Sequence, residues 1–167
     1  ESASNRTLQL LNKGYKRKHI RTLFKNMQQA GLVENHLNIM VGVPGTGYED
    51  ELKTFDFCKR YMDIFSWFKT SEFCLTETSE MGKNPEKYGI SLRGYEDDRR
   101  PHGGGRLRPL SFTDKAGMNQ AEKAYIIKLY DGLNKEVKLD RKYNGLYDQL
   151  RSAETGKELK NVKFIFN

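Results

Sequence analysis

Cysteine is scarce in this 167-residue sequence, which contains only Cys58 and Cys74. Their separation matches no zinc, haem or iron–sulfur motif, and each stands beside aromatic residues, so we expect two buried thiols. The three histidines, at positions 19, 36 and 102, are scattered without the spacing of metal ligands. No nucleophile-elbow motif accompanies them. The sequence therefore predicts neither a metal site within this chain nor serine-type hydrolysis.

Long apolar runs are also absent, and no stretch approaches the roughly 20 residues that a membrane helix needs. Residues Glu1–Arg6 lack the basic start and apolar core of a signal peptide. Hydrophobic residues make up 37% of the sequence and charged residues 31%, which is enough apolar material for a packed core. We predict a cytoplasmic protein whose length suits one domain of ordinary size.

Acidic residues are missing from the whole segment between Ser2 and Val33, where seven lysines and arginines lie. Three of these cations, Arg17, Arg21 and Lys25, are spaced to share one face of a helix. One interpretation is a solvated helix face. The other is a non-catalytic binding module that uses this helix on nucleic acid or an acidic partner. Aromatic residues are not interleaved with the cations, so the second interpretation is the alternative rather than the leading one.

Hydrophobic spacing in the first half predicts alternating helices and strands. Helices are predicted over about 4–12, 18–30 and 52–62, and strands over 37–43 and within 64–75. Pro44-Gly45-Thr46-Gly47 ends the first strand, and acidic residues 49–51 favour the start of the helix that follows. This alternation is typical of a parallel α/β sheet with crossover helices.

The pattern changes after Thr76. Residues 81–112 are rich in glycine, proline and charge, which predicts a long irregular connection. Thr113-Asp114 then predicts the cap of a helix that runs to about Leu133, in a mainly helical region over 113–167. A further helix is predicted over 143–150, and a strand-like run over 162–166.

Four arginines surround the glycines at 103–105 in that connection. They combine guanidinium groups with flexible backbone amides, which favours anion binding, although a mobile surface loop is the other interpretation. The candidate anion ligands are Arg99, Arg100, Arg106 and Arg108.

The first predicted strand carries the candidate ligand surface. Alternation places Asn38, Met40 and Gly42 on one side of it and larger aliphatic residues on the other. The strand ends in a tight glycine turn, and α/β folds bind their ligands at the carboxyl ends of parallel strands. No Gly-Lys-Ser or Gly-Lys-Thr follows, so a nucleotide P-loop is not predicted.

Five motifs occur in order over residues 1–75. They are Glu1-Ser2, Leu11-Asn12-Lys13-Gly14, Ala30-Gly31-Leu32, the run from Ile39 to Thr46, and Glu49-Asp50. Together they resemble the second half of a radical S-adenosylmethionine (radical SAM) domain. Phe73-Cys74-Leu75, Ser79 and the segment 84–90 resemble, more narrowly, members of that superfamily with a cobalamin-binding domain upstream.

The resemblance implies a fold and a set of cofactor contacts. The α/β fold would be the later part of a partial (β/α)6 barrel over residues 1–80, followed by the connection and the helical region. Glu1 and Ser2 would bind the ribose and the methionine end of S-adenosylmethionine, and Asn38, Met40 and Gly42 would lie against its adenine.

The cluster motif of that family, C-x-x-x-C-x-x-C, does not occur in this chain. We therefore expect a fragment or partner chain of a radical SAM enzyme, inactive alone, whose missing N-terminal half or partner chain holds the [4Fe–4S] cluster. Cobalamin is an expected additional cofactor of the complete enzyme if the narrower resemblance holds. The bare edge of a half-barrel predicts that the isolated chain self-associates.

Overall fold

The computed structural model of the protein describes residues 1–32, 35–95 and 109–154, with the side chains of the last helix described as far as Lys138. These ranges form a mixed α/β structure with two small sheets and a long C-terminal helix. In chain order the elements are α1 (Asn5–Leu10), α2 (Arg17–Gln29), β1 (Asn35–Val41), α3 (Tyr48–Arg60), β2 (Phe65–Glu72), α4 (Glu80–Lys83), β3 (Ile90–Tyr95), β4 (Leu110–Asp114) and α5 (Gln120–Glu154). Short 3-10 turns cover Met62–Ile64 and Pro85–Tyr88.

The first half confirms the predicted alternation of helices and strands. β1 and β2 are parallel neighbours with Leu37 opposite Phe68 and Val41 opposite Glu72, and α3 makes the crossover between them. A register shift at the start of β1 accommodates one extra residue of β2. The predicted helix and strand positions agree with the structure to within a few residues, because each carries its own local periodicity.

The two faces of the β1–β2 sheet differ in burial. Ile39, Val41 and Phe68 are at most 2% exposed and belong to the main core, which the helices α2, α3 and α5 cover. On α2 the buried Phe24 ring packs against the rings of Phe57 and Phe65, with centroids 5.5 and 4.9 Å apart. These contacts fix α2 and α3 on the same side of the sheet.

The opposite face, here called the open face, carries mostly exposed side chains. It is formed by His36, Asn38 and Met40 of β1 and their cross-strand neighbours Trp67, Lys69 and Ser71 of β2. Parallel sheets are ordinarily covered on both faces, so an open and largely polar face on such a sheet marks a surface available to a ligand or to further structure.

The expectation of an irregular connection over 81–112 is wrong for its described part. β3 and β4 pair as antiparallel strands, and Met81, Ile90 and Leu110 are buried in a second core. Gly94, at φ +106°, lies at a register shift in this pair. In the sequence, Gly94 argued against a strand. In the structure it lies at an irregularity within β3, which is a common place for glycine in sheets.

The predicted helix boundaries after the hairpin are also wrong. Thr113 and Asp114 end β4, and Asn119 caps α5: its side-chain oxygen accepts from the backbone N–H of Glu122 at 2.9 Å, while Glu122 accepts from the N–H of Asn119 at 2.8 Å. This reciprocal pair is a capping box, a stronger start signal than Thr-Asp alone. One continuous helix replaces the two that were predicted, because no glycine or proline interrupts residues 133–143.

The predicted strand-like run at 162–166 lies outside the described residues. None of the helices in the described part of the chain combines the length and the apolar composition needed to cross a lipid bilayer.

Candidate ligand site at the carboxyl ends of the parallel strands

The glycine turn after β1 is held firmly in place. Gly42 and Gly45 both have positive φ, at +78° and +79°, a region that residues with a side chain rarely adopt. The Thr46 hydroxyl donates to the Val43 carbonyl at 2.6 Å, which closes the turn on itself. The backbone N–H of Gly45 donates to the Asp114 carboxylate at 2.7 Å. The turn is thereby tied to the end of β4, and it forms a fixed rim at the carboxyl end of β1.

A buried carboxyl group, Glu51, lies against the start of this turn. Its Oε1 accepts from the backbone N–H of Gly42 at 3.2 Å, and its Oε2 has no partner among the described residues. Burial raises the pKa of Glu51 to about 7, and the hydrogen bond from Gly42 only partly opposes that shift. Sequence reasoning treated Glu49, Asp50 and Glu51 as equivalent helix-opening acids, although Asp50 and Glu51 are both buried and Glu49 is exposed.

The structure brings three of the five predicted cofactor residues together. The backbone N–H of Met40 donates to the Glu1 carbonyl at 2.9 Å, so Glu1 lies beside β1 on the edge opposite β2. The Glu1 carboxylate forms an ion pair with Lys13 and remains about one third exposed. Asn38, two residues before Met40 in β1, is exposed on the open face. Glu1, Asn38 and Met40 thus occupy one region of the sheet.

The other two predicted cofactor residues are directed elsewhere. The Ser2 hydroxyl lies 2.9 Å from the Thr54 hydroxyl and accepts from the backbone N–H of Ser4 at 3.1 Å, so α3 and the start of α1 use its hydrogen-bonding capacity. At Gly42 the space that a side chain would occupy is filled by Lys123, whose Cε lies 2.7 Å from an ideal Cβ position. Gly42 therefore contacts α5.

An apolar groove of about 340 Å³ runs between α2, the first residues of the chain and β1. It is here called the apolar groove, and its lining includes Ile20, Leu23, Leu37 and Ile39. Leu23, which lines the groove, is 56% exposed. The groove borders the same edge of β1 that Glu1 contacts.

The basic helix offers fewer free cations than its sequence suggests. The Arg17 guanidinium lies over the Phe57 ring, with Cζ 5.0 Å from the ring centroid. Its Nε is buried without a hydrogen-bond partner in the described part of the chain. Arg21 and Lys25 remain exposed. The predicted row of three cations on one face is thus reduced to two accessible charges.

Several other predicted residues find no place in this site. Arg99, Arg100, Arg106 and Arg108 lie outside the described residues. Cys58 is buried as expected, but the expectation is wrong for Cys74, which is exposed beyond the end of β2. Within the described ranges, no group of three or more histidine, cysteine, aspartate or glutamate side chains is arranged to hold a metal ion.

No protein-family model matches the chain, and no curated protein or solved structure matches it either.

Proposed function

We propose that this chain supplies the later part of a radical SAM barrel and forms one wall of the S-adenosylmethionine pocket. The [4Fe–4S] cluster would be held by a preceding segment or by a partner chain. The observation that carries the proposal is the hydrogen bond from Met40 N–H to the Glu1 carbonyl. It places Glu1 beside β1 near the carboxyl end of that strand. The resemblance implies the same relation, because there Glu1 and Met40 belong to neighbouring strands of one barrel.

The open face supports the assignment of the adenine wall. Asn38 offers both an amide donor and an amide acceptor, and Met40 is a flexible, polarizable side chain suited to packing on a ring. Asn38 is exposed on the open face opposite Lys69 of β2, and Met40, opposite Ser71, is half-buried against the second core. Ser2 and Gly42 support the proposal less, since their surroundings are already filled by Thr54 and Lys123.

The cluster itself does not fit the residues of this chain. Its sequence lacks the three-cysteine motif, and Cys58 is buried in the main core, where the pKa of its thiol is raised to about 12. A thiolate is the form that ligates iron, so burial of this kind opposes ligation. When bound, the cofactor would supply the radical chemistry, and this chain would orient it and exclude water from one side.

The edge of β1 and the apolar groove are where the cluster-bearing half would dock. A neighbouring parallel strand would extend the hydrogen bonding that Glu1 begins at Met40, and apolar side chains would cover Leu23 and Leu37. Without that half, a second copy of this chain is expected to take its place. Sedimentation of the isolated chain over a wide concentration range tests this, and a monomer throughout would count against the half-barrel assignment.

Binding of S-adenosylhomocysteine, a stable analogue of the cofactor, to the protein assembled with its cluster-bearing half tests the site. N38L places an apolar side chain on the open face and is expected to weaken binding by about tenfold or more, equivalent to about 1.4 kcal/mol. N26L makes the same change at an exposed position of α2 and serves as the matched control. Equal affinity of N38L and the unsubstituted protein would overturn the adenine wall.

The first requirement of the proposal is simpler to check. The sequence encoded ahead of Glu1, or a chain that co-purifies with this one, is expected to contain C-x-x-x-C-x-x-C. If neither does, and the chain instead binds mixed-sequence RNA with a steep loss of affinity between low and moderate salt, the binding-module alternative replaces the radical SAM proposal.

A further inference from the structure

A second cavity, of about 370 Å³, opens where the carboxyl ends of β1 and β2 meet β4 and the start of α5. It is here called the polar cavity, and its lining includes Gly42, Glu72, Phe73, Phe112, Asp114 and Lys123. None of the predicted cofactor residues except Gly42 belongs to it. Its volume is within the range of small-molecule sites, and its position is the one that open α/β sheets use for ligands.

Two opposite charges face each other in this cavity without forming a hydrogen bond. Lys123 Nζ lies 3.9 Å from Glu72 Oε2, which is too far for a hydrogen bond. The Lys123 side chain is only 17% exposed, and Glu72 is its one charged partner among the described residues. Because Lys123 Nζ makes no hydrogen bond to Glu72, its donors remain available to a further anionic partner in the cavity.

The other carboxylate of the cavity is already occupied. One oxygen of Asp114 accepts from the backbone N–H of Gly45 at 2.7 Å, and the other accepts from the N–H of Ala116 at 3.0 Å. Asp114 therefore acts as a support for the glycine turn. The Glu72 side chain is 49% exposed, and its carboxylate lies 3.9 Å from Lys123 Nζ without a hydrogen bond to it, so it remains able to accept from a ligand.

We propose that the polar cavity binds the zwitterionic group of an α-amino acid, with the ligand carboxylate on Lys123 and the ligand ammonium on Glu72. A simple anion would be attracted by Lys123 but repelled by Glu72. A simple cation would be attracted by Glu72 but repelled by Lys123. A zwitterion satisfies both charges at once, so the pair discriminates against ligands that carry a single charge.

Gly42 makes this arrangement possible. The aliphatic stem of Lys123 passes over Gly42 so closely that a Cβ there would lie 2.7 Å from Lys123 Cε and 3.3 Å from Nζ. A side chain at position 42 would force the end of the Lys123 side chain to move. The aromatic pair of Phe73 and Phe112, with ring centroids 6.1 Å apart, supplies an apolar wall beside the charges for the rest of the ligand.

Nuclear magnetic resonance titration of the full chain tests the proposal, with the Gly42 and Gly117 amides as reporters. L-alanine is the probe, and propionate and ethylamine are its analogues that lack one charge each. We expect saturable shifts with L-alanine and at least about tenfold weaker binding of either analogue. Propionate binding as well as L-alanine, or the absence of saturable shifts at millimolar L-alanine, would overturn the zwitterion assignment.

Substitutions locate the two charges. K123M keeps the length of the side chain without its charge, and E72Q keeps the shape of the carboxylate. Each is expected to weaken L-alanine binding by about tenfold or more, whereas K128M, at an exposed position of the same helix, is expected to change nothing. Unchanged binding in E72Q would contradict the proposal even if K123M were to fold poorly, since Glu72 is half exposed at a strand end.

A titration with S-adenosylhomocysteine distinguishes two sources of the amino-acid group, the cofactor and a separate substrate. If S-adenosylhomocysteine shifts the same amides and competes with L-alanine, the cavity takes the methionine end of the cofactor. If it does not compete, the cavity takes a separate amino-acid substrate. These measurements do not require the iron–sulfur cluster. A negative result would therefore not contradict the radical SAM proposal, and rejection of that proposal would not contradict amino-acid binding in the polar cavity.

Discussion

Asn134 of α5 forms two hydrogen bonds with the backbone of a single residue of the sheet, Phe68. The Phe68 N–H donates to the Asn134 side-chain oxygen at 2.8 Å, and the Asn134 amide donates to the Phe68 carbonyl at 2.9 Å. The side chain thus takes the position of another strand at this point on β2. It satisfies backbone groups that an exposed edge would leave free.

Removal of this contact is expected to destabilise the protein. N134A leaves the N–H and carbonyl of Phe68 buried without partners, at a cost of about 2 kcal/mol in the free energy of unfolding. The opened edge is also expected to increase self-association. Urea denaturation and sedimentation measure the two effects, and K135A on the exposed side of the helix is the control. If N134A lowers the free energy of unfolding no more than K135A does, Asn134 does not close the edge of β2.

Glu51 is expected to make stability depend on pH. Its folded pKa, about 7, is raised above the ordinary 4.5, so the folded protein holds a proton that the unfolded chain has lost. Stability is therefore expected to fall as pH rises from about 4.5 to about 7, by about 3 kcal/mol for this group. E51Q removes the titration while keeping an oxygen for the Gly42 N–H.

Unfolding free energies at pH 5 and pH 8 test this expectation. E51Q should lose less stability over that interval than the unsubstituted protein. E49Q changes a neighbouring acid that is exposed, and it should behave like the unsubstituted protein. Equal pH dependence in E51Q and E49Q would show that Glu51 titrates normally.

Two glycines are expected to respond in opposite directions to replacement by alanine. A Cβ at Gly82 would lie 2.0 Å from the backbone oxygen of Thr76, so G82A is expected to destabilise the protein by about 1–3 kcal/mol. Gly132, within α5, has open space around its Cβ position, and G132A is expected to stabilise by about 1 kcal/mol. Thermal unfolding compares them, and a loss of stability in G132A would contradict the packing described for α5.

The two thiols are expected to differ in reactivity. Burial raises the pKa of Cys58 to about 12, whereas Cys74 is exposed. Because the thiolate is the reactive form, a thiol reagent at pH 8 should modify Cys74 in the folded protein and both cysteines in denaturant. C74S should then abolish the reaction of the folded protein. Rapid labelling that persists in folded C74S would mean that the core around Cys58 opens readily.

Features that depend on residues close together in the sequence could be predicted, whereas contacts between residues far apart in the sequence could not. The burial difference between Asn38 and Ile39 was predictable, since alternation on one strand needs no other information. The contacts that fill the surroundings of Ser2 and Gly42 were not, because Thr54 and Lys123 are far from them in sequence. Likewise, the sequence around Asn134 carries no signal that its side chain contacts β2.

The hairpin illustrates a different limit. Arg93 and Gly94 stand in a stretch that resembles a loop by composition, yet pairing with β4 holds both of them in a strand. Partner strands are chosen by packing, which composition does not report. The same holds for the polar cavity, whose charges come from β2 and α5 and meet only in the folded chain.

The dependence of β2 on α5 has a consequence during synthesis. β1, α3 and β2 leave the ribosome well before α5, so Phe68 lacks its contact with Tyr130 until that helix has followed. At about 5–20 residues per second, the nascent chain spends several seconds with this surface exposed. During that interval the nascent chain is prone to aggregation, and docking of α5 ends the exposure.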